Sequence, residues 1–297
     1  MKNILVGTSS WADRALVESG LFYPPSVKRG DARLRYYATQ FPVVEVDSLY
    51  YGIPTARNAI LWAERTPQAF VFDAKAFRLF TQHPTSPQAL PEDIRVALGP
   101  VAKSLYYEDV PPELLTELWQ RFRAALEPLR LLGKLGAVLF QFPPWFMYRP
   151  SNLEHILQCA KLLPGYQLAV EFRHQSWFTE KHREHVLLFE REHRLAHVAA
   201  DEPQGFAGSV PPVWEATCQE LAVVRLHGRH RETWDKKGLA SSGERFQYLY
   251  SEPELVELAE PVRRLAAKVS QVHVFFNNNY SNYAQRNAAD FRRLTQL

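Results

Sequence analysis

Eight short apolar runs of strand length recur along the chain: 4–9, 43–47, 70–75, 135–142, 167–173, 195–201, 221–227 and 271–277. Most are rich in Val, Phe or Leu, and turn-forming residues such as Pro42, Gly136, Pro143-Pro144, Pro164-Gly165 and Gly228 bound several of them. Helical periodicity between the runs predicts helices over 32–41, 56–65, 113–132, 152–163, 177–193 and 283–297. Ser151 is placed to cap the fourth, and Ser176 precedes the fifth. Strand alternating with helix throughout implies a parallel sheet, because parallel neighbours need a crossover between them. Eight such units in 297 residues match a closed (β/α)8 TIM barrel, which typically uses ~250 residues, rather than an open sheet. No repeat, low-complexity tract or linker divides the chain, so residues 1–297 are expected to form a single TIM-barrel domain.

Three connections exceed what a simple crossover needs: 77–112, 202–219 and 228–253. The first, with five prolines, reads as an excursion over the barrel top; the second shows no helical period. Loops of this length in a compact fold are usually functional or disordered.

Residues two apart in a strand share a face. In the run 167–173, Leu168, Val170 and Phe172 suit packing against outer helices, while Ala169, Glu171 and Arg173 would point into the barrel. The same split sets Glu45 and Asp47 against Val44 and Val46, and Asp73 and Lys75 against Phe70, Phe72 and Ala74. Gln141, His197 with Asp201, Arg225 with His227, and His273 with Asn277 fall on the polar side of their own runs. Polar groups are therefore expected to converge from seven of the eight strands toward one opening. Most such barrels fill their interior with branched apolar side chains, and an unpaired buried charge costs several kcal/mol or more. These groups must pair with each other, meet water or hold a ligand. Glu45, Asp73, His197 and His273 lie deep enough to serve as an internal ion-pair network alone, whereas the residues at the strand ends point to function.

The rim suggests its chemistry. Lys75, Arg173 and Arg225 supply positive charge for a phosphate or carboxylate. Glu171 beside them is expected to stay ionised as a general base, and His227 to trade protons near neutrality. Asn277, Gln141, Asp201 and Trp11 complete the expected substrate-binding set. No cofactor is predicted. A divalent metal on Glu171, Asp201, His227 and His174 is the alternative, opposed by the adjacent Lys and Arg. The segment Arg229-His-Arg-Glu-Thr-Trp234 with Lys236 and Lys237 mixes basic and aromatic residues, as a nucleic-acid grip does and as a plain charged loop also does. Phosphate-loop, dinucleotide, zincin and nucleophile-elbow signatures are all missing from the sequence.

A net charge of +3 is too small to argue for nucleic acid by itself. Two cysteines without C-x-x-C spacing favour a reducing compartment over a disulfide framework. No apolar stretch approaches the ~20 residues that cross a bilayer, and the N-terminal apolar run is short for a secretion signal. A cytoplasmic protein with no membrane partner is expected.

The motifs Gly7-Thr-Ser-Ser-Trp11, Phe22-Tyr-Pro24, Phe41-Pro-Val-Val-Glu-Val-Asp-Ser-Leu-Tyr-Tyr51, Phe72-Asp-Ala-Lys75 and Leu139-Phe-Gln-Phe-Pro-Pro144 occur in order. Val170-Glu-Phe-Arg-His174, Val224-Arg-Leu-His-Gly228 and Phe275-Phe-Asn-Asn278 follow them. Together they resemble the YecE-like family, domain of unknown function seventy-two, from the first strand to the last helix. The resemblance implies a (β/α)8 barrel related to sugar-isomerase-like barrels and, more loosely, to metal-dependent apurinic endonucleases. It brings no settled activity. The family's recurrent polar positions fall on Lys75, Glu171, Arg173, His227 and Asn277. Where the family often has a Gly after Asn278, this chain reads Asn279-Tyr-Ser-Asn-Tyr283, and its rim offers fewer metal ligands than the endonucleases gather.

The residues favour an enzyme acting on a phosphorylated or otherwise anionic sugar-like substrate, by acid–base hydrolysis or isomerisation with Glu171, His227 and Lys75 as the catalytic set. A nucleic-acid-binding protein or phosphodiesterase, and a non-catalytic ligand-binding barrel, are the competing expectations.

Overall fold

Each apolar run becomes a strand: β1 (Ile4–Ser9), β2 (Val43–Val46), β3 (Val71–Lys75), β4 (Leu135–Gln141), β5 (Leu168–Glu171), β6 (Ala196–Asp201), β7 (Leu221–Leu226) and β8 (Gln271–Phe276). They pair in parallel in sequence order, and β8 returns to β1 through Ile4↔Val272 to Thr8↔Phe276, closing the barrel. The fold is thus the expected (β/α)8 barrel. The structure, a computed structural model, describes residues 3–100, 103–236, 238–239 and 242–295. Lys237 and the last two residues of the helix predicted over 283–297 lie outside them.

Among the described residues, seven helices of nine or more residues surround the strands: α1 (Gly30–Gln40), α2 (Ala56–Glu64), α3 (Pro112–Leu131), α4 (Pro150–Leu162), α5 (Arg183–Glu192), α6 (Glu252–Ala266) and α7 (Tyr283–Thr295). The crossover from β6 to β7, residues 202–220, contains no helix, in line with its lack of period. Helix α6 was not anticipated, because Pro253 and Pro261 obscure its pattern. Pro253 sits in the first turn, where no intrahelical N–H is needed, and Ser251 with Glu254 forms a capping box. Ser151 does not cap α4. The helix starts one residue earlier at Pro150, whose fixed φ suits that position. The helix expected over 177–193 is also shorter, since Gln175–Phe178 first forms a 3-10 turn held by His174 Nδ1 accepting from Ser176 N at 3.1 Å. Within the 77–112 excursion, Phe80 stacks on Trp119 of α3 at 3.7 Å, and His83 reaches the barrel mouth.

Two apolar layers result. Outward-facing strand residues such as Phe72, Val170, Val224 and Val274 pack under the helices. Inside the barrel, Val43, Ala137, Leu139, Ala169, Ala196, Val198, Leu221, Val223 and Phe275 fill the lower part. Two glycines permit close approach. A Cβ on Gly7 would stand 2.0 Å from Val43 O, so only Gly lets β1 and β2 lie as they do. Tyr37 of α1 reaches the same seam, its hydroxyl accepting from Thr8 N at 2.8 Å and donating to Val43 O at 3.1 Å. Gly136 is no turn residue; it lies within β4, where a Cβ would meet Asp73 Oδ1 at 2.2 Å and His273 Cε1 at 2.6 Å. That vacancy admits the buried hydrogen bond between His273 Nδ1 and the Asp73 carboxyl, 3.0 Å long. Among the described residues no helix is long and apolar enough to cross a membrane.

Candidate active site

Above the apolar floor the interior becomes ionic. Arg225 of β7 spans the barrel, its Nε and second terminal nitrogen each donating to Glu45 of β2 at 2.8 Å. The remaining nitrogen donates to Glu171 Oε2 of β5 at 2.5 Å and to Gln141 Oε1 of β4 at 3.0 Å. A planar fork is what such bidentate pairing requires, and a lysine could not reproduce it.

Glu171 is the most heavily engaged carboxylate, for Oε1 also accepts from Arg173 at 2.8 Å and from His227 Nε2 at 3.1 Å. Burial pushes its pKa up, but Arg225, His227 and Arg173 outweigh it and hold the carboxyl well below its usual range. Burial, aided by Arg173 and Arg225, lowers the pKa of His227 against the pull of Glu171, so its ring is neutral at physiological pH. Asn277 Nδ2 lies 2.8 Å from His227 Nδ1, and Asn279 Nδ2 donates to Asn277 Oδ1 at 3.2 Å. With the Asn277 amide so fixed, His227 accepts at Nδ1 and keeps its proton on Nε2, facing Glu171.

Arg173 links this layer to the loops. One of its nitrogens lies 2.8 Å from Glu171 and 3.1 Å from Glu202, and its guanidinium stands 5.1 Å over Trp234. Burial raises the Glu202 pKa to about 7 despite Arg173 and the Val210 N–H. Trp234 and Phe246, from the loop after β7, lie 6.5 and 6.3 Å from the His227 ring and roof it over.

Beside that roof a cavity of about 700 Å³ opens at the strand ends. Lys75, Gln141, Arg173 and Asn277 line it, together with Glu45, Asp47, Tyr50, His83 and Arg245. Lys75 Nζ stands 4.6 Å over the Tyr50 ring, and among the described residues it has no hydrogen-bond or ion-pair partner. Burial and Arg225 lower its pKa against the pull of Glu45, Glu171 and Asp47. Burial raises the pKa of Asp47 and lowers that of His83 to about 3.

The structure therefore brings seven of the nine expected site residues into one cluster, with Lys75, Gln141, Arg173 and Asn277 on the cavity wall and Arg225, Glu171 and His227 buried beneath it, and separates two. On β6 the assumed parity is reversed, with Ala196 and Val198 pointing inward. His197 faces outward to Glu190 of α5 at 3.1 Å, and Asp201 accepts from Arg229 at 2.8 Å and from Tyr250 at 2.7 Å outside the cavity. Trp11 packs edge-on against Trp62 of α2 and Phe72, an outer-layer role that keeps it from substrate. Glu171 and His227 belong to the cluster but lie under the cavity rather than on its wall, with 0% and 1% exposure, so direct proton exchange with a substrate is blocked in this arrangement. Asp47, Tyr50, His83, Glu202 and Arg245 were not singled out as site residues. Asp47 shares the inward parity of Glu45 and could have been; the others lie outside the strands, Tyr50 on a one-turn helix (Ser48–Tyr51) and Arg245 on a 3-10 turn (Ser242–Phe246).

No group of three or more His, Cys, Asp and Glu suited to a metal occurs among the described residues. The basic segment is largely committed: Arg229 to Asp201, Trp234 to Arg173, and Arg231 to Gln204 O at 2.7 Å.

Residues 5–297 match the family model described as Protein of unknown function DUF72. The UPF0759 protein YunF of Bacillus subtilis (strain 168) is similar, 30% identical over 296 residues covering 99% of this chain and 95% of that protein. The crystal structure of a DUF72 family protein of Enterococcus faecalis V583 superposes with a TM-score of 0.81 at 25% identity, covering 99% of this chain and 96% of that one. A DUF72 family protein of Thermotoga maritima MSB8 gives 0.77 at 30% identity, covering 99% and 100%.

Proposed function

The chain belongs to the DUF72 family of proteins of unknown function, and from that premise we propose that it is an enzyme acting on a phosphorylated or otherwise anionic sugar-like substrate. The reaction is acid–base hydrolysis or isomerisation at the C-terminal mouth of the barrel, where such folds keep their chemistry.

One observation carries this reading: Lys75, without a carboxylate ion-pair partner among the described residues, projects a positive group into a cavity large enough for a small ligand, beside Arg173 and Arg245. A fold that pairs Arg225 and Arg173 so thoroughly leaves this cation free for something that arrives from outside. Asp47, whose pKa is raised, carries the proton at the wall. Glu171 and His227 act one shell back: they fix Arg173 and Asn277, and with them the angle at which substrate is held. Gln141 and Asn277 contribute neutral hydrogen bonds. Two free cysteines suit a cytoplasmic setting.

The test is a screen of sugar phosphates and phosphoesters for turnover. Lys75→Ala should abolish any activity found, and Glu171→Gln should reduce it. Activity unchanged in both variants would falsify the assignment.

A further inference from the structure

Among the described residues Lys75 and Lys134 are both shielded from solvent, and their surroundings differ sharply. Lys134 saturates its ammonium with four oxygens: Ala63 O at 2.8 Å, Thr66 O at 2.9 Å, Thr66 Oγ1 at 3.0 Å and Pro67 O at 2.9 Å. Lys75 has three donors to place and, among the described residues, no acceptor for any of them. The Tyr50 face favours its ammonium weakly, and Glu45, Glu171 and Asp47 attract it without a hydrogen bond or ion pair among the described residues, but burial and the Arg225 guanidinium outweigh them and lower its pKa. An amine so placed, inside a cavity open to small molecules, exposes a lone pair to whatever enters.

We propose that Lys75 is a nucleophilic amine that captures the carbonyl group of an anionic aldehyde or ketone substrate as an imine. Asp47 carries the proton, and Arg173 and Arg245 hold the anionic end. The inference rests on the proposed function and narrows it toward proton transfer next to a carbonyl, hence isomerisation, and away from phosphoester hydrolysis.

The step balances without an outside redox partner. The Nζ lone pair forms a bond to the carbonyl carbon, and the C=O pair moves to oxygen, which takes a proton from Asp47; the nitrogen then returns a proton to the Asp47 carboxylate, giving a neutral carbinolamine. Asp47 donates that proton to the hydroxyl, which leaves as water as the nitrogen lone pair forms the C=N bond. The protonated imine that remains withdraws electrons from the adjacent C–H bond. Asp47 lines the same wall, and burial raises its pKa, which favours the protonated form that a proton donor needs.

The test uses the whole protein with pyruvate, glyoxylate or dihydroxyacetone phosphate, reduced with sodium cyanoborohydride near neutral pH, and adducts located by peptide mass. Cyanoborohydride delivers hydride to the imine carbon and leaves a stable secondary amine. Lys75 is expected to be labelled about tenfold or more faster than the exposed Lys28 and Lys181, because burial and Arg225 favour its neutral, nucleophilic form. Inorganic phosphate should slow that labelling, and Lys75→Arg should show no adduct at this position. If Lys75→Arg does not fold, the comparison among lysines of the unaltered protein decides alone. Labelling of Lys75 no faster than Lys28 and Lys181 with all three probes overturns the inference. A parallel melting experiment separates the two failures. Phosphate that still stabilises the unaltered protein but not Lys75→Ala leaves an anion site without a nucleophile; loss of both effects removes the broader reading as well.

Discussion

Arg225 and Glu45 lie 180 residues apart in sequence and meet inside the barrel through two hydrogen bonds of 2.8 Å, with neither side chain reaching solvent. The contact joins β7 to β2 across the lumen, and Glu171 and Gln141 extend it to β5 and β4. A buried pair of this kind adds little net stability compared with apolar packing, but breaking it is costly because a carboxylate is left stranded. Arg225→Met should therefore cost about 3–5 kcal/mol in urea denaturation. Adding Glu45→Gln to that variant should restore part of the loss, as coupled neighbours do in a double-mutant cycle. A loss below ~1 kcal/mol would mean that the cluster behaves like an exposed ion pair.

Much of this framework was legible because strand parity is a rigid rule. The shared faces of Glu45, Lys75, Gln141, Glu171, Arg173, Arg225, His227 and Asn277 follow from alternation, and the apolar opposite faces, suited to packing under helices, assign them to the interior. The rule failed on β6, where Ala196-His-Val-Ala-Ala-Asp201 has small or apolar residues on both faces. Parity defines two faces without saying which is inside, and His197 went outward because Glu190 waits on α5. Trp11 misled for a related reason, since its neighbours Trp62 and Phe72 come together only once α2 lies over β3. Glu202, Tyr50 and Arg245 could not be placed, because loop geometry rather than periodicity brings them to the mouth. Nor does a list of charges reveal their pairing. Only the structure separates Arg225, fully committed, from Lys75, which is not.

Gly136 offers a test of the barrel interior. A methyl group there would overlap Asp73 Oδ1, His273 Cε1 and Val71 Cγ1, all within 2.8 Å of the ideal Cβ position. Asp73 cannot retreat freely, because Oδ1 also accepts from Ala137 N at 3.1 Å. Gly136→Ala is expected to destabilise by about 1–3 kcal/mol through overpacking. Gly30→Ala, at the start of α1 with no atom within 4 Å of the added carbon, should change stability by no more than ~0.5 kcal/mol. Equal melting temperatures for the two variants would contradict the close packing around Gly136.

Glu202 should make stability depend on pH in an unusual direction. Its pKa rises from 4.5 to about 7 on folding, through burial first, with Glu171 and Asp201 adding to it and Arg173 and the Val210 N–H opposing. The folded state then binds the proton more tightly than the unfolded state. This contribution is fully present below pH 4.5 and is lost as pH rises through about 7. Glu202→Gln removes the titration, so it should match the unaltered protein near pH 4.5 and exceed it near pH 8, by up to ~3 kcal/mol. Denaturant midpoints across that range provide the measurement. A Gln variant that is less stable at the alkaline end would show that the ionised carboxylate is a net asset beside Arg173.

Lys75 should show the trade between stability and function most directly. A half-buried ammonium without a partner is costly to the empty protein, and Lys75→Met keeps the length of the side chain while removing the charge. The variant is accordingly expected to melt higher than the unaltered protein, with a gain of ~1 kcal/mol. Ligand response should move the opposite way. A ligand at one hundred times its dissociation constant stabilises the folded state by about 2.7 kcal/mol, and that increment should appear with inorganic phosphate or a sugar phosphate for the unaltered chain only. Arg245→Gln, on the far wall of the same cavity, should weaken the response without raising the melting point, because Arg245 already donates to Lys236 O at 3.1 Å. The pair of variants thus separates a cation kept free for a ligand from one that also serves the loop. A Lys75→Met protein that melts lower and still responds to phosphate would place the anion elsewhere.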